Sequence, residues 1–145
     1  HGKFRRQRQM CIRDSTRTYA PVMVDLFRSG REDLHGVVHC SGGGQTKVLH
    51  FADESLHIVK DDLFDTPPLF SLIQEHSGTS WHEMYKVYNM GHRMEVYTTA
   101  AHAPSVIAAA ERHGVMAQVI GRVEERIGVS PRLTIHGPAG IEQYS

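Results

Sequence analysis

The residues with the clearest capacity for chemistry lie in one short stretch, residues 36–46, where an apolar segment runs into three glycines and a helix start. Consecutive glycines cost conformational entropy, so a folded chain keeps them where its backbone turns sharply or approaches another group closely. A Gly-rich turn before a helix gathers backbone N–H groups at the positive end of the helix dipole, which favours an anion such as phosphate. The stretch therefore predicts a phosphate site on Ser41, Gly42, Gly43 and Gly44, here called the glycine loop. The alternative is a tight turn without a ligand.

Two familiar catalytic motifs do not fit this stretch. The glycine spacing differs from that of a P-loop, and Thr46 precedes Lys47 where the P-loop has the reverse order. Ser41 lacks the Gly-x-Ser-x-Gly frame of a nucleophile elbow. Cys40 ends an apolar strand, and a small buried residue is the favoured interpretation for a cysteine in that place.

The eleven histidines of the chain raise the question of a metal site. His35 and His39 are four residues apart on a predicted strand, hence on one face, with Cys40 adjacent. A zinc site needs three or four ligands at a recognisable spacing, and no second cluster is present. The stretch from His82 has Lys86 where a zinc-protease helix would have its second histidine. We therefore predict no metal ligands among these residues.

Three carboxylates, Asp61, Asp62 and Asp65, precede a predicted helix start. They could help to hold a magnesium ion that bridges phosphates. The alternative is that they solvate a loop and complement the dipole of the following helix.

A second candidate for anion binding is the break after residue 88. Gly91 allows close backbone approach, Asn89 can donate and accept hydrogen bonds, and His92 and Arg93 can bind anions. The alternative is a helix end followed directly by a strand, and the pattern alone leaves both interpretations open.

The elements that must position these residues alternate between helix and strand. Apolar spacing and end signals predict helices at 19–30, 48–51, 66–78, 80–88 and 104–113, and strands at 34–40, 56–60, 94–97, 116–123 and 133–136. Thr66 is the candidate N-cap of its helix, and Leu69, Phe70, Leu72 and Ile73 its predicted buried face. The interleaving lacks strict βαβ regularity, so we predict one α+β domain with a mixed or antiparallel sheet packed by helices.

Composition restricts the class of protein further. The 145 residues are 40% hydrophobic and 22% charged, as in an ordinary globular domain. No apolar run approaches the ~20 residues that cross a bilayer, and two cysteines suit a reducing compartment. We therefore expect a cytoplasmic protein with no membrane partner.

The zero net charge hides an asymmetry between the start of the chain and the rest. Residues 1–14 carry five basic groups against one acidic group, a net +4, and the remainder carries a net −4. The body of the protein thus lacks the basic face that nucleic acids require. We expect residues 1–15 to be a disordered or non-native segment of a chain that was longer upstream, and residues 16–145 to be the domain. A basic nucleic-acid-binding arm is the alternative.

Several motifs occur in an order that resembles one known family. They are Thr16-Arg17-Thr18-Tyr19, His39-Cys40-Ser41-Gly42-Gly43-Gly44, Thr66-Pro67-Pro68-Leu69-Phe70, Glu83-Met84-Tyr85 and Tyr88-Asn89-Met90-Gly91. Over residues 16–145 the chain resembles the C-terminal half of the aminoimidazole ribonucleotide synthetases, also called phosphoribosylformylglycinamidine cyclo-ligases.

The resemblance implies an enzyme of purine biosynthesis that uses ATP and Mg²⁺ to close an imidazole ring. Formylglycinamidine ribonucleotide is converted to aminoimidazole ribonucleotide, and the complete enzyme is expected to be a homodimer. The N-terminal domain of the family supplies most ATP and magnesium contacts, and the active site lies between the two domains. Nothing in this chain resembles that N-terminal domain, so the chain alone is expected to be inactive.

The resemblance also implies roles for individual residues. His39 would line the catalytic cleft, and the glycine loop would bind a phosphate of substrate or nucleotide. Thr16 and Arg17 would contact bound phosphates, and Asn89 and Gly91 would lie near the active site. His92 and Arg93 stand where the family has small or apolar residues, so no role is transferred to them.

Two alternatives remain at this point. One is the C-terminal domain of a related ATP-using enzyme, of the selenophosphate synthetase, thiamine-phosphate kinase or hydrogenase-maturation type. The other is a non-enzymatic phosphate-binding domain.

Overall fold

The computed structural model describes residues 18–145, in which helices and strands follow one another without a repeating βαβ order. The helices are α1 (Ala20–Gly30), α2 (Pro68–Ser77), α3 (Trp81–Val87) and α4 (Ala103–Arg112). The strands are β1 (Leu34–His39), β2 (Leu56–Lys60), β3 (Met94–Thr98), β4 (Gly121–Glu125), β5 (Leu133–Gly137) and β6 (Gly140–Tyr144). Two 3₁₀ helices, Arg31–Asp33 and Gly44–His50, precede and follow β1.

The strands form two sheets. β1 and β3 make an antiparallel pair, and the other four strands are ordered β4-β2-β5-β6. Within the second sheet β2 and β5 run parallel, while the other two pairs are antiparallel. The predicted α+β class with mixed and antiparallel pairing is confirmed, and the structure divides the predicted sheet into two.

Two hydrophobic clusters hold these elements together. The larger cluster packs α2 and α3 against the four-stranded sheet and includes Met84, Tyr85, Leu133 and Ile135. The smaller cluster packs α1 against α4 and includes Val22, Leu26, Ala109 and Ala110. None of the helices in residues 18–145 is long and apolar enough to cross a membrane.

Helix α2 differs from its prediction at its start and on its surface. Its N-cap position is occupied by Pro67 and not Thr66, because a residue that precedes a proline is driven toward extended backbone, so the helix begins later. Phe70 and Ile73 pack against the larger cluster, as predicted. Leu69 and Leu72 were predicted to be buried, yet they are 47% and 51% exposed.

The ends of the neighbouring helices follow their local signals. Gly78 ends α2 in the left-handed conformation, with φ 66°, and its N–H donates to the Gln74 carbonyl. Ser80 caps α3, because its hydroxyl accepts a 3.3 Å hydrogen bond from the Glu83 N–H.

The observed strands differ from the predicted ones at β4 and β6. The strand predicted at 116–123 begins only at Gly121, because its partner β2 ends at Lys60 opposite that residue. Strand β6 was not predicted. It forms a hairpin with β5 in which Gly137 pairs with Gly140.

Candidate functional site

The glycine loop lies beside the segment that precedes β3. β1 and β3 run antiparallel with His39 opposite Met94, so the end of one strand meets the start of the other. The Cys40 N–H extends this pairing with a 2.8 Å hydrogen bond to the Arg93 carbonyl. Two stretches that the sequence marked separately, 41–44 and 89–93, are thus neighbours.

All three glycines of the loop adopt positive φ. The φ angles of Gly42, Gly43 and Gly44 are 68°, 122° and 53°, a region that other residues rarely enter. A Cβ on Gly44 would lie 2.5 Å from the Tyr88 carbonyl oxygen and 2.6 Å from that of Tyr85. Gly44 therefore permits the loop to pack directly on the end of α3.

The facing segment is a tight turn of Asn89, Met90 and Gly91, here called the 89–91 turn. The Asn89 carboxamide oxygen accepts from the Gly91 N–H at 2.9 Å, which closes the turn. The Gln45 side chain, directly after the glycine loop, donates to the Asn89 carbonyl at 2.7 Å. Loop and turn are therefore connected both by packing and by a hydrogen bond.

Exposed groups at the loop can meet a solute. His39 and Ser41 are exposed, and the Lys47 ammonium donates to the Ser41 carbonyl at 2.7 Å. Lys47 thus places a positive charge at the loop, a contribution that the sequence reasoning missed. Its spacing of three residues from Gly44, about one turn of a helix, is the signal that could have indicated it.

A 3₁₀ helix of seven residues, Gly44–His50, begins at the last glycine of the loop, four residues earlier than the short helix predicted at 48–51. The Thr46 hydroxyl donates to the Gly43 carbonyl at 3.0 Å and stabilises its first turn. A 3₁₀ helix has poorer hydrogen-bond geometry than an α-helix, so the groups here that could attract an anion are mainly Lys47 and the loop backbone.

His92 is buried, so it is not available to bind an anion from solvent. It is 4% exposed, and its Nε2 accepts a 3.0 Å hydrogen bond from the Phe64 N–H, which places the proton of the neutral ring on Nδ1. Burial, helped by the charge of Lys60 and opposed by that of Glu95, lowers the pKa of His92 to about 4. His92 is therefore a neutral core residue. The suggestion that it grips anions is wrong.

Cys40 has the predicted core position. It is 2% exposed, and burial, reinforced by Glu95, raises the pKa of its thiol to about 12. A thiol with that pKa is not an activated nucleophile.

The remaining candidates are placed as follows. No three His, Cys, Asp or Glu side chains within residues 18–145 are grouped so that they could hold a metal ion. Asp61 forms an ion pair with Arg122, which occupies one of the three carboxylates considered for magnesium. Thr16 and Arg17 lie outside the described residues.

Comparison with known proteins identifies the family. The family model described as "AIR synthase related protein, C-terminal domain" matches residues 5–133. The chain belongs to this family. The resemblance inferred from the ordered motifs is thereby confirmed.

Curated relatives carry the name phosphoribosylformylglycinamidine cyclo-ligase. The protein of Bacillus subtilis is 32% identical over 119 residues, which are 81% of this chain and 34% of that protein. Those of Methanopyrus kandleri and Methanococcus vannielii are 29% and 30% identical over 85% and 79% of this chain, and 34% and 32% of their own lengths. This member of the AIR synthase related family thus spans about a third of the length of the curated relatives it matches.

Proposed function

We propose that this chain is the C-terminal part of an ATP-dependent cyclo-ligase that converts formylglycinamidine ribonucleotide to aminoimidazole ribonucleotide. The cyclo-ligase name of the relatives supports the reaction class. The observation that carries the proposal for this chain is the meeting of the glycine loop and the 89–91 turn beside exposed His39. In this proposal the glycine loop binds a phosphate group of the ribonucleotide or of ATP.

The chemistry requires a site that holds phosphates and excludes competing reactions. ATP converts the formyl oxygen of the substrate into a phosphate ester, so that oxygen can leave as phosphate when the amidine nitrogen attacks. The loop backbone and Lys47 would hold an anionic group in place, with Asn89 and Gly91 shaping the adjoining wall. His39 would line the cleft and accept the proton that the attacking nitrogen loses, a role that histidine fills near neutral pH.

No step of the proposed reaction is assigned to magnesium on the described residues. The described residues lack a group of carboxylates or histidines that fits the ion. By the family resemblance, the complete enzyme is proposed to bind ATP and Mg²⁺ largely through other parts of the protein, and to act as a cytoplasmic homodimer.

A pair of matched ligands tests the binding role. Aminoimidazole ribonucleotide and ATP are titrated into the 145-residue chain, with the corresponding unphosphorylated nucleosides as controls, and amide NMR signals are followed. We expect the phosphorylated ligands, and not the nucleosides, to shift the signals of residues 41–47 and 89–91. Equal shifts for both kinds of ligand would contradict a phosphate site at the glycine loop.

Turnover gives a second test. We expect the 145-residue chain to produce no aminoimidazole ribonucleotide from formylglycinamidine ribonucleotide, ATP and Mg²⁺, since most of the contacts to ATP are proposed to lie elsewhere. Measurable ring closure by the purified chain would show that this division of roles is wrong.

A further inference from the structure

A buried polar network lies behind the glycine loop. Lys60 and Gln45 are 1% exposed and Glu95 is 6% exposed. The Lys60 ammonium donates at 2.9 Å to both the backbone carbonyl and the side-chain oxygen of Gln45, and it forms an ion pair with Glu95. The other Glu95 oxygen accepts from the Tyr97 hydroxyl at 2.6 Å. All three protons of the ammonium and both carboxylate oxygens therefore have partners.

This network joins the two sheets of the domain. Lys60 ends β2 in the four-stranded sheet, whereas Glu95 and Tyr97 lie on β3 in the two-stranded sheet. Strand β3 follows the 89–91 turn, and its partner β1 leads into the glycine loop. The ion pair therefore joins the two sheets behind the candidate site.

Gln45 is the member of the network that reaches the site. It follows Gly44 directly, its amide nitrogen donates to the Asn89 carbonyl, and both of its oxygens accept from Lys60. One side chain therefore connects the glycine loop, the 89–91 turn and the buried ion pair. If the ammonium were absent, both Gln45 oxygens would lose this donor, and the Gln45 side chain would keep only its hydrogen bond to Asn89 to fix its orientation.

Stability alone does not account for the buried pair. Removing two charges from water is costly, and apolar side chains of similar volume in place of a buried ion pair often leave a protein equally or more stable. Apolar side chains, however, have no hydrogen-bond donor, so they cannot select one orientation of the Gln45 side chain. The pair is thus suited to fixing geometry.

We propose that Lys60 and Glu95 are positioning residues that hold the glycine loop against the 89–91 turn through Gln45. This proposal rests on the proposed function, because the loop is held in the form that would receive the phosphate group. Neither residue touches the ligand.

The test replaces the buried pair without leaving an unpaired charge. The double variant Lys60→Met and Glu95→Leu is compared with Lys86→Met and Glu83→Leu, which removes the exposed pair on α3, where both side chains are 48% exposed. Thermal unfolding and amide hydrogen exchange are measured on each 145-residue chain. We expect the melting temperature to fall in the buried-pair variant, because Gln45 and Tyr97 lose buried hydrogen-bond partners, and to stay unchanged in the exposed-pair variant. The exchange of the residue 42–45 and 91 amides should become about tenfold faster in the buried-pair variant alone, as for the loss of one buried hydrogen bond.

The ligand measurement uses aminoimidazole ribonucleotide and its ribonucleoside as probes. We expect the preference for the phosphorylated probe to fall about tenfold in the buried-pair variant, by the same loss, and to remain in the exposed-pair variant. Wild-type exchange rates at the loop in the buried-pair variant would overturn the proposal.

The two readouts separate this proposal from the proposed function. Hydrogen exchange reports the positioning of the loop whether or not a ligand binds. If the wild-type chain binds the ribonucleotide no better than the ribonucleoside, the proposed function is contradicted. The hydrogen-exchange result would still decide whether the buried pair positions the loop. If the buried-pair variant does not fold, Gln45→Met removes the connection itself, and unchanged loop exchange in that variant would equally overturn the proposal.

Discussion

His92 should make this protein sensitive to mild acid in a way that one substitution removes. Its ring is 4% exposed and accepts a hydrogen bond from the Phe64 N–H, so the ring must stay neutral in the folded state. Burial is the main reason that the pKa of His92 falls from 6.5 to about 4. In the unfolded chain the same histidine regains its ordinary pKa and takes up a proton near pH 6.5.

The sign and size of the effect follow from proton linkage. Between pH 6.5 and about 4 the unfolded chain binds a proton at His92 that the folded chain does not, so acid favours unfolding. Above this window the residue is neutral in both states and has no effect. Each pH unit within the window is worth about 1.4 kcal/mol, which gives about 2 kcal/mol lost by pH 5 and about 3 kcal/mol over the whole window.

The assay is urea unfolding of wild type and His92→Gln at several pH values between 7 and 5. The glutamine amide oxygen can accept from the Phe64 N–H without taking up a proton, so the variant should lose about 2 kcal/mol less over this range. His76→Gln, at an exposed position on α2, is the matched control and should follow wild type. Parallel pH dependences for wild type and His92→Gln would refute the reasoning.

Three further predictions concern the loop, a helix cap and the buried thiol. Gly42→Ala should lower the free energy of unfolding by about 1 kcal/mol, because only the left-handed backbone opposes the new side chain. Gly44→Ala should lower it by about 3 kcal/mol, because its Cβ would also meet two carbonyl oxygens. Urea unfolding of both variants measures the difference. Ser80→Ala should lower the free energy of unfolding by about 1 kcal/mol through loss of the α3 cap, and equal stability would show that the cap contributes nothing. In a Cys11→Ser background, Cys40 should resist iodoacetamide at pH 8 until urea unfolds the chain; fast labelling of the folded chain would contradict its burial and its pKa of about 12.

The features that local sequence could predict are those with local causes. Gly78 and Ser80 mark the boundary between α2 and α3 because one adopts the left-handed conformation and the other supplies an N-cap oxygen. The glycine loop was predictable for the same reason, because three consecutive glycines indicate backbone that turns sharply or adopts positive φ. The candidate site was therefore visible in outline from the sequence.

Features that depend on distant partners were not predictable in this way. Strand β4 starts at Gly121 because β2 ends opposite it, sixty-one residues earlier in the chain. His92 looked like an anion ligand beside Asn89, and only the packing of Phe64 over it shows that it is buried. Strand β6 is stabilised by β5, and its short Gly-bounded hairpin gave the one local signal that could have indicated it.

The buried ion pair was only partly predictable from the sequence. Strand alternation places Lys60 on the same face as Ile58, which is 3% exposed, so the sequence already implied a charge on a buried face. Such a charge requires a partner, and the same alternation puts Glu95 and Tyr97 together on β3. What the sequence could not show is that the two faces meet, because this requires the register of β3 with β1 and the turn that Gln45 joins. Lys60, a charged residue on the apolar face of its strand, therefore indicated a buried polar network, although the sequence did not identify its partner.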